Sequence, residues 1–223
     1  MNTTSDGFDE ARPDGSGPMT AMGAITVVGA GRVGRALGDN LAGLGHPIRY
    51  AVRDVSGARV PAGATAVPID GAAEGAGLTL LAVPFATVGE VVPRLGLRPG
   101  HVLVDATNPF GAGTGASPSG AAVVADAAGA GVTVVKAFNV LGAEHMSHPV
   151  LPGGHRPILP VASDDASARL AVVELASAMG FDAVDVGGLD AAALMEEAAR
   201  YWGLLAFAGA RGRQVVLVAH QRT

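Results

Sequence analysis

Three glycines, at positions 29, 31 and 34, have a spacing that is typical of loops that bind phosphate groups. Their segment, Gly29–Gly34, lies between an apolar run, Ala24–Val28, and a helical pattern, Arg32–Leu44. In such a strand–loop–helix unit the first glycine permits a tight turn, the second lets a pyrophosphate approach the backbone, and the third lets the helix pack on the strand. The start of the helix adds free N–H groups and the positive end of its dipole. The pattern predicts a dinucleotide site, with a purely structural turn as the alternative, built from Gly29, Gly31, Arg32, Val33 and Gly34.

The residue after the second predicted strand discriminates between the two common dinucleotides. A site for NAD usually has an Asp or Glu there, whose carboxylate accepts from the ribose 2′-hydroxyl. Here the strand Pro47–Val52 is followed by Arg53, and Asp54 comes one residue later. An arginine cannot accept a hydrogen bond but can bind a 2′-phosphate, and Arg32 could reach the same phosphate. We therefore expect NADP(H); the alternative is NAD, with Asp54 on the ribose and both arginines in solvent.

Three further predicted strands end in residues that would converge at one edge of a parallel sheet. These strands are Leu78–Val83, His101–Ala106 and Val132–Ala137. Open α/β sheets bind ligands at the carboxyl ends of their strands. We therefore expect the residues that follow the strands to lie over the nicotinamide, although ordinary turns use the same residue types. They are Pro84, Phe85, Asn108 and Asn139.

His145 is a further candidate for a part in catalysis. It lies with His148 in the loop after Asn139, beside Glu144. These are metal-ligand types, but no regular spacing joins them to a further ligand, so we predict no metal site. The sequence has neither a Gly-x-Ser-x-Gly elbow nor a defensible nucleophile–base pair. The catalytic residue stays open, and the candidates are Asn108, Asn139 and His145.

The elements that would position these residues alternate between strands and helices. Further strands are predicted at Ala64–Pro68, Pro157–Ala162 and Ala183–Val186, and further helices at Asp70–Ala76, Ala86–Leu95, Ser119–Gly129, Asp165–Gly180 and Leu189–Ala210. The last helix would bury one face made of Leu194, Met195, Ala198, Trp202, Leu205 and Gly209. The alternation predicts an α/β Rossmann fold, a doubly wound parallel sheet with a small helical C-terminal portion.

The chain divides into three parts on this interpretation. Residues 1–22 are rich in Asp, Gly, Ser, Thr and Pro, which predicts a disordered tail. Residues 23–164 would form the NADP-binding Rossmann domain, with a flexible loop at Gly111–Gly115. Residues 165–223 would complete the domain with a strand and helices, and would form the contact of a homodimer.

Composition narrows the classes of partner. The 223 residues carry a formal net charge of −5 and show no basic stripe of the kind that binds nucleic acid. The chain has no cysteine, which excludes disulfides, iron–sulfur clusters and thiolate metal sites. No apolar stretch has the length of a signal peptide core or a membrane span. We expect a cytoplasmic protein with a small-molecule substrate, without nucleic-acid or membrane partners.

Four motifs, taken in order, resemble the NADPH-dependent F420 reductase family. The motifs are Gly29–Gly34, Val104–Pro109, Val135–Asn139 with Gly142–Glu144, and Gly187–Leu189 followed by Glu196, Ala199 and Trp202. The resemblance extends from residue 24 to residue 208 and leaves out the segment from Arg211 onward. One departure is Val52, because family members often carry a serine before the arginine that corresponds to Arg53.

The resemblance implies a dimeric Rossmann enzyme that exchanges hydride between NADPH and coenzyme F420, a deazaflavin, or a flavin. By position, Gly29, Gly31, Arg32 and Gly34 would hold the pyrophosphate and Arg53 the 2′-phosphate. Asn108, Ala137 and Asn139 would lie near the nicotinamide.

Three functions fit these features. The first is an NADP-dependent oxidoreductase that passes hydride directly between NADPH and a deazaflavin or flavin, which needs orientation more than acid–base residues. The second is an NADPH-dependent reductase of a small carbonyl or imine, with His145 as proton donor. The third is a non-catalytic NADP(H)-binding sensor.

Overall fold

Six parallel strands form the central sheet of the protein, whose computed structural model describes residues 23–111 and 118–220. The predicted tail, residues 1–22, and residues 112–115 of the predicted flexible loop lie outside the described residues. The strands are β1 (Ile25–Val28), β2 (Ile48–Val52), β3 (Thr65–Pro68), β4 (Leu78–Leu81), β5 (Val102–Asp105) and β6 (Thr133–Lys136). Their order is β3-β2-β1-β4-β5-β6. The chain therefore starts at the centre and winds outward in both directions, which opens a crevice between the carboxyl ends of β1 and β4. This is the predicted Rossmann fold.

The sequence explains why these strands lie in the middle of the molecule. Every residue of β1 and β4 is buried, as expected for parallel strands covered by helices on both faces. The covering helices are α1 (Arg32–Gly43), α2 (Val88–Val91), α3 (Gly120–Ala128), α4 (Ala166–Ala178) and α5 (Ala192–Gly203). Helices α3 and α4 begin where the sequence predicts, because the side chains of Ser119 and Asp165 each accept an N–H of the first turn.

A second, two-stranded sheet follows the first. Strands β7 (Ile158–Val161) and β8 (Asp182–Asp185) pair in parallel, with α4 as their crossover. An antiparallel bridge between Lys136 and Ala162 joins this sheet to the end of β6. The C-terminal part of the chain is thereby attached at the strand end that carries the predicted site residues.

Two predicted helices are wrong in detail. Asp70–Ala76 forms successive turns, in which Gly71 and Gly75 adopt φ angles of +73° and +65° that a helix cannot contain. The predicted helix Ala86–Leu95 is broken into 3₁₀ turns on either side of the four-residue α2. Pro93, which lacks an N–H donor, lies in the second of these turns.

The predicted C-terminal helix is also divided. It consists of a 3₁₀ turn (Leu189–Ala191), α5, and a π-helical turn (Leu204–Ala208). Its buried face carries Met195, Ala199, Trp202 and Ala206. Leu194, which the sequence pattern assigned to that face, is 77% exposed, because the buried stripe is shifted by one residue.

Residues 211–220 form a C-terminal strap along the surface. The indole N–H of Trp202 donates to the Val215 carbonyl at 2.8 Å, and the N–H of Ile158 donates to the Leu217 carbonyl at 3.0 Å. The strap thus connects α5 with β7. Within the two described ranges, no helix is long and apolar enough to cross a membrane.

Candidate active site

The glycine loop has the geometry that its spacing predicts. Gly29 has a φ of +99°, and a Cβ there would lie 2.7 Å from the Ala82 carbonyl oxygen. A Cβ on Gly34 would overlap the carbonyl oxygen of Gly29, so that α1 packs against the loop only with glycine at this position. A Cβ on Gly31 would meet no atom within 4 Å. The space above Gly31 is therefore open to a ligand, next to the free N–H groups at the start of α1.

The glycine-loop cleft is a cavity of about 430 Å³ at the carboxyl ends of β1, β2 and β4. It is lined by Gly29, Ala30, Gly31, Ala51, Val52, Arg53, Asp54, Ile69, Ala82, Val83, Pro84, Thr87, Glu90 and Val91. Of the predicted cofactor residues, Gly29, Gly31, Arg53 and Pro84 are in this lining. Phe85 lies instead toward α3, where a Cβ on Gly120 would be 3.1 Å from its ring.

Asp54 is held by its own loop. Its Oδ1 accepts hydrogen bonds from the Ser56 hydroxyl at 2.6 Å and from the N–H groups of Ser56 and Gly57 at 3.0 and 3.2 Å. The hydroxyl of Ser56 and the N–H of Gly57 hold the pKa of the Asp54 carboxyl below its ordinary value. The neighbouring Arg53 is exposed at the rim of the cleft. Both residues are therefore exposed, and the acidic one is engaged through Oδ1 in its own turn.

Arg32 extends away from the glycine loop. Its guanidinium contacts the carboxylate of Glu144, whose Oε1 also accepts from Arg213 Nε at 2.5 Å. Burial would raise the pKa of Glu144, but the hydrogen bond from Arg213 and the charges of both arginines hold it below its ordinary value. One carboxylate thus bridges the glycine loop and the C-terminal strap.

The Trp202 cavity, of about 560 Å³, lies beside the cleft at the ends of β5 and β6. Its lining consists of Val33, Ala106, Asn108, Phe110, Phe138, Asn139, Leu141, Gly142, Ala143, Met146, Ala199, Arg200, Trp202, Gly203, Leu204, Phe207 and Arg213. Most of these side chains are apolar or aromatic. The predicted cofactor residue Val33 faces this second cavity, and Ala137 is fully buried beneath it without lining either one.

Asn108 and Asn139 meet in the Trp202 cavity as a reciprocal pair. Asn108 Nδ2 donates to the Asn139 carbonyl at 2.8 Å, and Asn139 Nδ2 donates to Asn108 Oδ1 at 3.0 Å. A second bond, from Asn139 Nδ2 to the Met195 carbonyl at 3.1 Å, fixes the orientation of the amide. Asn139 Oδ1 is then a buried acceptor that no donor of the described residues reaches. A buried acceptor without a donor destabilises the protein, because it has lost its hydrogen bonds to water. This oxygen is therefore a candidate acceptor for an N–H or O–H of a ligand.

The backbone between the two strand-end motifs is strained at one residue. Phe138 has a φ of +59°, a left-handed conformation that costs a non-glycine residue about 1 kcal/mol or more. Its ring is buried and packs edge-on against Phe181, with centroids 5.7 Å apart. The packing holds the turn that directs Asn139 into the cavity.

Lys136 forms a buried ion-pair network beneath these residues. Its Nζ lies 2.9 Å from Asp105 Oδ2 and 3.3 Å from Glu196 Oε1, and it donates to the Thr107 carbonyl at 2.6 Å. Glu196 in turn accepts the N–H groups of Gly120 and Ala121, at the start of α3, at 3.0 and 3.1 Å. Two strands and two helices are therefore joined by one ammonium group.

His145 is absent from the lining of both cavities, although its neighbours Ala143 and Met146 line the Trp202 cavity. It is buried at the end of a 3₁₀ turn, its Nε2 has no hydrogen-bond partner among the described residues, and it lines neither cavity. In the described part of the chain, no three His, Cys, Asp or Glu side chains come together as a metal site.

Sequence reasoning missed two parts of the site. The first is the Lys136 network, for which a signal existed, because a lysine inside an apolar strand needs a buried carboxylate. The second is Arg213, which lies beyond the motifs of the family resemblance and has no sequence signal of its own.

Replacing Lys136 with methionine would leave two buried carboxylates without their cation. We expect Lys136→Met to lower the free energy of unfolding by about 3–5 kcal/mol in urea denaturation. The matched control is Arg98→Met, which removes an exposed ion pair with Glu74 and should cost no more than about 1 kcal/mol. Equal losses in the two variants would contradict a stabilising role for the network.

Two alanine substitutions in the glycine loop should separate folding from binding. Gly34→Ala should lower the free energy of unfolding by about 1–3 kcal/mol, because its Cβ overlaps a backbone oxygen. Gly31→Ala should change stability by less than about 0.5 kcal/mol. Its methyl group would nevertheless occupy the open space above the loop, and should weaken NADPH binding by about tenfold, measured by calorimetric titration. Unchanged affinity in Gly31→Ala would place the pyrophosphate elsewhere.

The comparisons with known proteins agree with this geometry. Residues 24–109 match the model of the family described as NADP oxidoreductase coenzyme F420-dependent. No curated protein sequence matches the chain.

Solved structures extend the likeness beyond the matched segment. A protein of Arthrobacter sp. FB24, proposed to be an F420-dependent NADP reductase, is 27% identical with a TM-score of 0.77, over 89% of this chain and 100% of its own. A hypothetical protein of Sinorhizobium meliloti is 28% identical with a TM-score of 0.67, over 78% and 88%. A reductive aminase of Aspergillus terreus, in complex with NADPH and ethyl levulinate, shares the fold at 22% identity and a TM-score of 0.63, over 84% and 63%. The family model thus matches residues 24–109, and the solved structures carry the likeness over most of the chain.

Proposed function

We propose that the protein transfers hydride between NADPH in the glycine-loop cleft and a flat ring acceptor, coenzyme F420 or a flavin, in the Trp202 cavity. The observation that carries the proposal is that the two cavities lie side by side at one edge of the sheet. The first has a backbone cradle open above Gly31, and the second has mostly apolar and aromatic walls suited to a ring system.

The position of Arg53 in the cleft lining supports NADPH over NADH. Arg53 is exposed at the rim, where a guanidinium would bind a 2′-phosphate. Asp54 Oδ1 is occupied by its own turn, which leaves only Oδ2 to accept from a ribose hydroxyl. Gly29, Gly31 and Gly34 would hold the pyrophosphate, together with Arg32 if that side chain leaves Glu144.

The residues of the second cavity suit a reaction without a general acid. Its described lining contains no carboxylic acid, imidazole, phenol or lysine, and its ionisable side chains are Arg200 and Arg213. Bound NADPH would supply the hydride. The chain would supply orientation, through the fixed Asn108–Asn139 pair, and apolar walls that limit water. The free Oδ1 of Asn139 would accept an N–H of a bound ring or carboxamide. Pro84 would lie near the nicotinamide, and Phe85 and Ala137, which line neither cavity, would lie behind it.

The direct test is rapid mixing of the protein and NADPH with oxidised F420, and in parallel with FMN and FAD, followed by absorbance. We expect the deazaflavin or flavin to be reduced with NADPH and not with NADH. Arg53→Glu should raise the KM for NADPH by about tenfold or more, because a charge-assisted bond becomes a repulsion. The control Asp54→Asn should retain the preference for NADPH.

Two outcomes would replace this function with another. A reductase of small carbonyls or imines needs a proton donor, so dependence of such an activity on His145, tested with His145→Ala, would favour that function. Direct transfer between rings should survive the same substitution. Tight binding of NADPH with no oxidation by any acceptor would indicate a sensor.

We also propose that the protein is a homodimer formed through the exposed apolar side chains of its C-terminal helical segment. Leu194, Tyr201, Leu204 and Phe207 are 77%, 54%, 61% and 60% exposed. Their spacing along one helical segment would let a two-fold axis cover both copies of the patch at once. We expect sedimentation velocity to show a dimer that Leu204→Glu dissociates. Leu170→Glu, on the equally exposed surface of α4, should leave it intact, and a monomeric wild-type protein would contradict the proposal.

A further inference from the structure

Arg213 is, with Arg200, one of two charged side chains among the described residues that line the mostly apolar Trp202 cavity. It comes from the C-terminal strap, beyond residues 24–109 that match the family. Its guanidinium lies 6.0 Å from the ring centroid of Trp202 and 5.6 Å from that of Phe207, within the range of cation–π contact. The two rings and the strap together hold this charge at the cavity wall.

The ionisable side chains in the described lining of the Trp202 cavity are both positive. They are Arg200 and Arg213, and their partners Glu197 and Glu144 lie outside that lining. Arg32 also pairs with Glu144 from outside the lining. The charge at the cavity wall is therefore opposite in sign to the net charge of −5 carried by the whole chain.

Arg213 is better placed than the other two arginines to receive an anion. Arg200 donates to the Pro109 carbonyl at 3.1 Å and pairs with Glu197, and Arg32 does not line the cavity. The hydrogen bond from Arg213 to Glu144 uses Nε, which is one of the five N–H donors of a guanidinium. The terminal nitrogens form a fork that matches phosphate and carboxylate oxygens.

We propose that Arg213 selects the acceptor by binding an anionic group attached to its ring system, a phosphate or a carboxylate. The cavity would then take a flat acceptor that carries an acidic side chain in preference to the same ring without one. An anion entering an apolar cavity is strongly disfavoured unless a cation meets it, which is why one side chain can decide the preference. This inference rests on the proposed function, because it takes the hydride acceptor to bind in the Trp202 cavity. Its test, however, measures binding and not hydride transfer.

The single tryptophan of the chain makes the test independent of turnover, because Trp202 lines the cavity. Two matched pairs of ligands serve as probes: FMN and riboflavin, and F420 and its deazaflavin chromophore without the phosphate-bearing chain. Quenching of Trp202 fluorescence is measured with NADP⁺ present at saturation. NADP⁺ then occupies the glycine loop, and the phosphate of a probe cannot bind there. We expect the charged member of at least one pair to bind about tenfold more tightly than the uncharged member.

Variants of the strap assign this preference to one side chain. Arg213→Gln should abolish the preference and leave the Kd of the uncharged ring unchanged, and Arg213→Lys should retain part of it. Arg211→Gln, an exposed arginine outside the cavity lining, is the matched control and should behave as the wild type. An unchanged emission maximum of the ligand-free variants verifies that the strap remains in place on Trp202.

The outcomes distinguish this inference from the proposed function. Equal affinities within both pairs, no binding of either pair, or weakened binding of the uncharged rings in Arg213→Gln would overturn the anion-binding role. A clear preference for the charged ligands without any oxidation of NADPH would support the role of Arg213 and overturn hydride transfer instead.

Discussion

Lys136 has no contact with solvent, and the charge it carries must be balanced inside the protein. It has three partners: Asp105 at the end of β5, Thr107 just after it, and Glu196 on α5. Glu196 also accepts the first N–H groups of α3. Each buried charge is tolerable only while the others remain, because an isolated ion in the protein interior loses its hydration without compensation. The ends of β5 and β6 and the C-terminal helix are therefore fixed relative to one another as a unit.

This constraint accounts for the different construction of the two cavities. The glycine-loop cleft is made mainly by backbone, because the approach of α1 to β1 is set by glycines whose Cβ atoms would collide with carbonyl oxygens. The Trp202 cavity is made mainly by side chains, from strand ends, α5 and the strap. The lysine network lies below the Asn108–Asn139 pair and so connects the second cavity to the sheet that forms the first. Ligands bound in the two cavities would meet at the carboxyl edge of the central sheet. Because the geometry of this edge is already fixed, it favours a transfer that depends on orientation.

The sequence predicts the Rossmann half well, for local reasons. Buried parallel strands are recognisable as short apolar runs, and the glycine loop by its fixed spacing. Ser119 and Asp165 are N-cap residues and mark the start of the helices that follow them. The errors have local causes as well. The segment Asp70–Ala76 forms turns and not the expected helix, because two of its glycines adopt positive φ angles. Leu194 is exposed because the buried face of its helix is shifted by one residue.

The contacts that could not be read from the sequence are distant along the chain. Asp105 and Lys136 are 31 residues apart, and Glu144 and Arg213 are 69 residues apart. Periodicity carries no information about such pairs. The ion pair of Arg32 with Glu144, 112 residues away, is a further contact of this kind, and the role of Arg32 as a phosphate ligand stays a prediction.

The strap has a consequence for how such a protein can diversify. It contributes Arg213 to the cavity, a carbonyl to the indole of Trp202 and a carbonyl to the edge of β7, yet it supplies no strand of the central sheet and no residue of the glycine-loop cleft. Substitutions in these ten residues would therefore alter one cavity wall while the dinucleotide cradle and the hydrophobic core remain as they are. A lineage could thus vary this cavity wall through a surface segment, without rebuilding the half of the protein that carries the glycine loop.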